Sequence, residues 1–301
     1  MTPARQAGDV WGARGIDLHL HSTVSDGSLA PGRLAETASA HGVTVAACTD
    51  HDSFAGSAEF RAAFEGLGGR AVTGCEVSAT WKGHEVHCLV YATSDADLVA
   101  RVHSHHARRL AWFHRSVDVV AEAGLPLTRA AVESAVGPDR VPYYGVFLRL
   151  FLEAAADDPR FAGHRADDLM ALQRQWFEPG RPFHVEEPAR PHLVDVLGWA
   201  RDAGGVPVLA HPGRVLLGAF DPRADLRTLR DAGLAGLEVW TTWHDTAQVE
   251  ALAGLCAEHR MAATAGSDFH GTDVKPWATA PGRLPSGGPA ADDLLARLLA
   301  A

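Results

Sequence analysis

Asp17-Leu18-His19-Leu20-His21-Ser22-Thr23-Val24-Ser25-Asp26-Gly27 decides how the rest of the chain is read. His19 and His21 stand at i and i+2 in an apolar run, so on a β-strand both imidazoles project from one face and can reach one metal ion from the strand end. The competing reading is two unrelated histidines on a half-buried edge. Partners elsewhere in the chain decide between them.

Outward from this stretch, strands and helices alternate. Gly15–His21 reads as a first strand, followed by a Ser-Asp-Gly turn and a helix opened by Pro31 and closed near Gly42. Val43–Thr49 is a second strand, Ser53 is placed to cap a helix through about Glu65, and Arg70–Cys75 is a third strand. Glu85–Tyr91, entered through the Lys82-Gly83 turn, makes a fourth. From Ser94 to Arg190 the pattern changes to Ala/Leu/Arg-rich helical segments, which reads as an insertion. A helix over Pro191–Ala203, ended by Gly204-Gly205, restores the rhythm before strands at Val206–Ala210, Gly236–Trp240 and Met261–Ala265.

Strands alternating with helices predict an α/β fold with a parallel sheet, and seven such units with both faces covered are better closed into a barrel than left open. The expected division is a barrel over 15–93 and 191–285, an inserted helical subdomain over 94–190 that caps the substrate, and a C-terminal helix over 286–301. In such barrels the chemistry gathers at the carboxyl ends of the strands.

Those ends carry one kind of residue. They present His19 and His21, then His51, Glu76 and His87, then His211, and finally Asp268 and His270, with Asp26 in the turn after the first strand. One such residue would be unremarkable, but a barrel mouth brings all of them close to one point. Nine are too many for one tetrahedral ion. Imidazole mixed with carboxylate, without thiolate, suits Mn²⁺, Fe²⁺ or Zn²⁺. Three carboxylates against three dications leave a net positive pocket, able to lower the pKa of a bound water and to hold a phosphate oxyanion. That is the chemistry of phosphate-ester hydrolysis.

The chain of 301 residues, 47% hydrophobic and 21% charged, has the composition of a soluble globular protein. No apolar run approaches the ~18 residues of a membrane span, and residues 1–14 lack the order of a signal peptide, so a cytoplasmic location is expected. A formal charge of −10 argues against duplex nucleic acid as a partner but not against a small anionic substrate held over cations. Cys48, Cys75, Cys88 and Cys256 have no C-x-x-C spacing and read as small buried thiols, not as a disulfide framework.

The words D-L-H-L-H-S-x-x-S-D-G (17–27), T-D-H-D (49–52), G-x-E-V-S (74–78), H-E-V-H (84–87), L-A-H-P-G-R (209–214) and G-S-D-F-H-G (266–271) together resemble the polymerase-and-histidinol-phosphatase (PHP) superfamily. The resemblance implies a distorted (β/α)7 barrel with a trinuclear metal site, and the helical insertion resembles that of the branch holding nucleoside 3′,5′-bisphosphate phosphatase and YciV-type (RNase AM-like) enzymes. It implies one ion on His19, His21, Glu76 and Asp268, a second on Glu76, His87 and His211, and a third on Asp26, His51 and His270, Mn²⁺ before Fe²⁺ or Zn²⁺. A hydroxide bridging the ions would attack phosphorus in line, with Asp268 among the catalytic residues.

Other assignments stay open in the sequence. Asp50 and Asp52 are placed to orient neighbouring imidazoles, or Asp52 to serve a helix N-terminus. Arg214 either grips a phosphate or is a surface arginine at a helix start, and His244 either protonates the leaving oxygen or packs. A Gly-Arg-Pro-His word expected in the insertion is replaced by Asp139-Arg140-Val141-Pro142-Tyr143-Tyr144, with Arg140 left as a phosphate ligand and the tyrosines as packing or a base-stacking platform. His103, His105, His106 and His114 read as a solvated helix face or rim.

The expected function is hydrolysis of a phosphate ester on a small nucleotide-like substrate, a 3′,5′-bisphosphate or a short RNA 5′ end. The alternatives are a cyclic phosphodiesterase or sugar-phosphate phosphatase and, in another class, a noncatalytic metal-stabilised interaction module.

Overall fold

Parallel strands covered on both faces are mostly apolar, and Ile16–Leu20 and Val45–Cys48 are buried along their whole lengths, with Asp17 and His19 the polar residues among them. The computed structural model describes residues 11–13, 15–138, 140–216 and 220–285. In chain order the first part gives β1 (Trp11–Ala13), β2 (Ile16–Leu20), α1 (Pro31–Ala40), β3 (Val45–Cys48), α2 (Ser57–Gly66), β4 (Arg70–Ala71), β5 (Gly74–Trp81) and β6 (His84–Tyr91). The helices α3 (Ala96–Glu122), α4 (Arg129–Val136), α5 (Tyr144–Ala154) and α6 (Leu169–Trp176) follow. The remainder is α7 (Leu193–Asp202), β7 (Val206–Leu209), α8 (Gly213–Leu216), α9 (Pro222–Asp231), β8 (Gly236–Trp240), α10 (Thr246–His259), β9 (Ala262–Ala265) and β10 (Arg283–Pro285). The C-terminal helix expected over 286–301 falls outside the described residues.

The fold is mixed α/β, but its strands are not uniformly parallel. A three-stranded sheet runs β2-β3-β4, a five-stranded one β5-β6-β7-β8-β9, and β1 pairs with β10. Strand β6 is antiparallel to both β5 and β7, while β7-β8 and β8-β9 are parallel. The cause is the Lys82-Gly83 turn. Both residues have positive φ, 49° and 79°, the twist of a two-residue hairpin turn, so β5 and β6 are joined directly without a crossover helix. The strand expected over Arg70–Cys75 is split for a related reason. Only Arg70 and Ala71 pair with β3, and the chain then begins the eight-residue β5, which the sequence pattern conceals because Ser78 and Thr80 interrupt its apolar run. Single parallel bridges, Leu20 to Phe269 and His51 to Glu76, link the two sheets.

The predicted helix starts are met at α1, where Pro31 occupies the first turn, and missed at α2. There Ser53 Oγ accepts from the Ala55 N–H instead, a local turn that delays the helix to Ser57.

The chain divides into two compact units, Met1–His103 with Arg190–Ala301, and Ser104–Ala189. The first contains the sheets. Its largest apolar cluster joins β5, β6, β7 and β8 to α7, α9 and α10, and a second gathers Leu34, Phe60, Phe64 and Phe269 around β2 and β3. The second unit is helical, with an aromatic core in which Phe151 meets Phe161 and Phe177 edge-on at 4.9 and 5.1 Å between centroids. Tyr144 belongs to that packing, stacked on Trp112, and burial raises its pKa. His105 corrects the expectation of a solvated histidine face: it is 1% exposed, because i, i+3 spacing puts it in line with buried Val102. His103 is exposed, and His106 and His114 are partly exposed.

Phe151 is fully buried in the helical unit. Phe151→Ala should therefore lower stability by ~3–5 kcal/mol, read from denaturant unfolding, and a loss below ~1 kcal/mol would contradict this core.

Candidate metal centre

The two imidazoles of β2 converge as their spacing requires. His19 and His21 are fully buried, with their Nε2 atoms 3.0 Å apart. Glu76, from β5, brings Oε2 to 3.0 Å from each, and Asp268, from the loop after β9, brings Oδ1 to 3.3 Å from each. The other oxygen of Glu76 faces His87 Nδ1 at 3.0 Å and His211 Nε2 at 3.1 Å. Asp26 lies beside His270 Nε2 at 3.1 Å, His21 Nδ1 at 3.6 Å and His51 Nε2 at 3.9 Å. All nine residues taken from the strand ends are thus brought together.

Their grouping differs in detail from the one the resemblance implies. Three sets have ligand-type atoms mutually within 4.8 Å: His19, His21, Glu76 and Asp268; His21, Asp26, His51 and His270; and His51, Glu76 and His87. His51 faces two sets, because its Nδ1 is 3.3 Å from Glu76 while its Nε2 looks toward Asp26. His211 falls in none of the tight sets and joins the cluster through Glu76 alone among the acids of those sets.

The backbone is bent to achieve this. His211 and Asp268 have positive φ, 30° and 56°, a conformation that β-carbon sterics disfavour and that neighbouring contacts must hold. The His211 N–H donates to Glu238 Oε2 at 2.7 Å, and the Asp268 N–H to the His19 carbonyl at 2.9 Å. Gly266 is required by proximity, since a β-carbon there would lie 2.3 Å from that of His19. Asp17 accepts from the Ser267 N–H at 2.8 Å, the Ser267 hydroxyl at 2.6 Å and the Gly282 N–H at 2.7 Å, so β2 itself anchors the loop carrying Asp268.

Charge is unevenly distributed in the cluster. Burial alone would raise the carboxyl pKa of Asp26, Glu76 and Asp268, but facing imidazoles, and Lys275 for Asp268, drive all three well below the ordinary range. Burial opposes protonation of His19, His21 and His87. The neighbouring carboxylates outweigh it, lifting His19 well above its usual value and His87 to about 10. For His51 and His270 burial prevails and the pKa falls.

These residues fit a cation. His51 Nδ1, Glu76 Oε2, Asp268 Oδ1 and His270 Nε2 are buried and make no well-directed hydrogen bond, with only other ligand-type atoms close by, a crowding of lone pairs that a shared metal ion would relieve. The far oxygen of Asp268 is already taken, by the Trp243 indole N–H at 2.6 Å and the Lys275 ammonium at 2.8 Å, so Oδ1 alone remains to face His19 and His21. The nitrogen and oxygen donor set, without sulfur, suits a borderline divalent ion. Cys48, Cys75, Cys88 and Cys256 are free and buried elsewhere.

Several second-rank assignments change. Asp50 receives the Ser22 N–H and the hydroxyls of Ser22 and Ser25, so it braces the turn after β2 and reaches an imidazole only through Ser25, whose Oγ is 3.4 Å from His21 Nδ1. Asp52, at positive φ, accepts the Ser78 N–H. His244 is buried with both ring nitrogens committed, Nδ1 to the Val239 carbonyl at 2.8 Å and Nε2 to the Gly213 N–H at 2.9 Å. That makes it a brace for α8 and leaves neither nitrogen to protonate a leaving group. Arg140 donates to the Val136 carbonyl at the end of α4. The side chain of Arg214 and all of Asp139 fall outside the described residues.

The carboxylates that do hold imidazoles are Glu238, 2.9 Å from His19 Nδ1, and Glu85, 3.2 Å from His87 Nε2 and 3.1 Å from Arg190. Both were legible in principle. Glu238 is a lone acid in the apolar run Gly-Leu-Glu-Val-Trp, and Glu85 shares a strand face with His87 at i−2.

The chain matches the PHP domain family over residues 17–124. It is 30% identical over 262 residues to 3′,5′-nucleoside bisphosphate phosphatase of Chromobacterium violaceum, covering 85% of this chain and 87% of the relative. It is 33% identical over 266 residues to phosphoribosyl 1,2-cyclic phosphate 1,2-diphosphodiesterase of Eggerthella lenta, covering 85% and 94%. A crystal structure from Bifidobacterium adolescentis, assigned as a metal-dependent phosphoesterase, superposes with a TM-score of 0.77 at 26% identity, covering 97% of each chain.

Metal ligation requires neutral imidazole, whereas the neighbouring carboxylates push the pKa of His19, His21 and His87 up, that of His87 to about 10, and so favour the protonated rings in the metal-free protein. Zinc uptake at pH 7 should therefore release protons, measured by titration calorimetry in buffers of different ionisation enthalpy. Binding with no net proton release would refute this electrostatic description.

Proposed function

The chain belongs to the PHP domain family of phosphoesterases, and from that premise we propose that it is a metal-dependent hydrolase of a small nucleotide-like phosphate ester, first among them a nucleoside 3′,5′-bisphosphate. The observation that carries this reading is the convergence of buried ligand-type atoms from His51, Glu76, Asp268 and His270, whose nearest polar neighbours are one another and the other imidazoles and acids of the cluster. Three divalent ions are proposed, manganese before iron or zinc. His19, His21, Glu76 and Asp268 would hold the first; Glu76 and His87, with His211 and His51 beside them, the second; and Asp26, His51 and His270, with His21, the third. Ions there supply an activated water and neutralise charge on the phosphoryl oxygens.

The rest is work for the chain. Glu76 fixes the spacing between adjacent sites by offering one oxygen to each side. Trp243 and Lys275 clamp the far oxygen of Asp268 and keep its near oxygen aimed inward. Arg214 is assigned from the sequence to a substrate phosphate, and the inserted helical unit, with Arg140, to substrate selection. We further read β2, β3, β5, β6, β7, β8 and β9 as one distorted seven-stranded barrel, supported by the bridges Leu20–Phe269 and His51–Glu76.

A cyclic phosphodiesterase is the second reading, favoured by the 33% identity to the Eggerthella enzyme and by the Asp139-Arg140-Val141-Pro142-Tyr143-Tyr144 word in the insertion. Metal-loaded protein assayed on bisphosphates, short 5′-phosphorylated RNA, cyclic phosphates and sugar phosphates separates the readings. Tenfold higher kcat/KM on a cyclic ester, about 1.4 kcal/mol in the transition state, would replace the first choice. Metal binding without turnover on any of them would leave an interaction module.

His19→Ala and Asp268→Ala should each lower hydrolysis of an aryl phosphate by roughly 100-fold or more, since losing even a partner behind a metal ligand costs 10–100-fold. Wild-type rates in either variant would remove the catalytic assignment.

A further inference from the structure

Glu238 is a fully buried acid in the middle of β8, with apolar Leu237 and Val239 on either side. An unpaired carboxylate in such a place would cost several kcal/mol, so its partners are the reason it is tolerated. Each oxygen has one. Oε1 lies 2.9 Å from His19 Nδ1, and Oε2 accepts the backbone N–H of His211 at 2.7 Å.

A carboxylate only accepts, so the first contact requires a proton on His19 Nδ1, and when the ring gives up its other proton to ligate a metal, Nε2 is the nitrogen left facing Glu76, Asp268 and His21. The second contact holds His211 at its positive φ of 30°, the turn that delivers its Nε2 to the other oxygen of Glu76. No space is left for a substitute: a β-carbon on Gly266 would lie 2.6 Å from Glu238 Oε1. Glu238 itself belongs to none of the three sets that could hold an ion.

We infer that Glu238 is a positioning residue that sets the metal affinity of the centre, by fixing the tautomer of His19 and the backbone turn of His211 together from one strand. This rests on the metal-dependent reading above. Because its two oxygens serve histidines from different strands, Glu238 ties β2 and β7 to β8 at the level of the ions.

The test is zinc affinity, measured by competition with a chromogenic chelator on wild type and Glu238→Gln, with folding checked by circular dichroism in EDTA. Glutamine keeps the shape but offers one accepting oxygen for two donors, so affinity should fall by about 10–100-fold in folded protein. A purely structural role would lower the melting temperature and leave that affinity unchanged, which would overturn the inference. Long-range ¹H–¹⁵N spectra of zinc-loaded wild type provide a second arm that does not depend on the variant folding. His19 should carry its proton on Nδ1 with Nε2 on zinc, and a proton on Nε2 would equally overturn the proposal. Failure of wild type itself to bind zinc or manganese would instead strike the metal-dependent reading, so the two failures are distinguishable.

Discussion

A carboxylate with no solvent exposure stays ionised only where hydrogen bonds or opposite charge replace water, and Glu76 is the point at which this chain concentrates that requirement. One oxygen faces His19, His21 and His51, and the other faces His87 and His211. Those imidazoles come from four segments: His19 and His21 from β2, His51 from the turn after β3, His87 from within β6 and His211 from the turn after β7. The register of both sheets, the left-handed turns at His211 and Asp268, and the crowding around Gly266 all serve to bring five rings to one acid.

The arrangement also explains why the surroundings of the centre are so thoroughly tied down. Asp17 holds Ser267 and Gly282, Asp50 holds Ser22 and Ser25, and Asp52 holds the Ser78 N–H. These acids work on backbone N–H groups and hydroxyls of the loops, one step away from the rings. Loops carrying strained residues would otherwise relax, and a few tenths of an ångström decide whether donor atoms converge.

The donor set was readable from the sequence because polar residues with lone pairs recur in or just after apolar runs, although His19, Glu76 and His87 lie within β2, β5 and β6 and not at their ends. What escaped the pattern depends on contacts between residues far apart. Glu238 looks like an oddity in an apolar strand until His19 is placed beside it, and His244 looks reactive until Val239 and Gly213 occupy its two nitrogens. The fold was legible to the same extent. Helices and most strands follow local periodicity, whereas the reversal at Lys82-Gly83 and the separation of β4 from β5 turn on two residues' backbone conformation and on which neighbour each strand finds. Histidines in the helical unit show the opposite limit, since His105 follows the buried stripe despite its polarity.

The β5–β6 hairpin has a consequence for how the protein is made. His87 and Glu76 are 11 residues apart, whereas Asp17 must find Ser267 across 250. Closing the longer loop costs about 3 kcal/mol more in chain entropy. Hairpins form in microseconds, so His51, Glu76 and His87 are able to meet while the later half of the polypeptide is still being synthesised. A cation captured at that stage would act as a template on which the remaining strands assemble, making ion supply during translation part of the route to the native state.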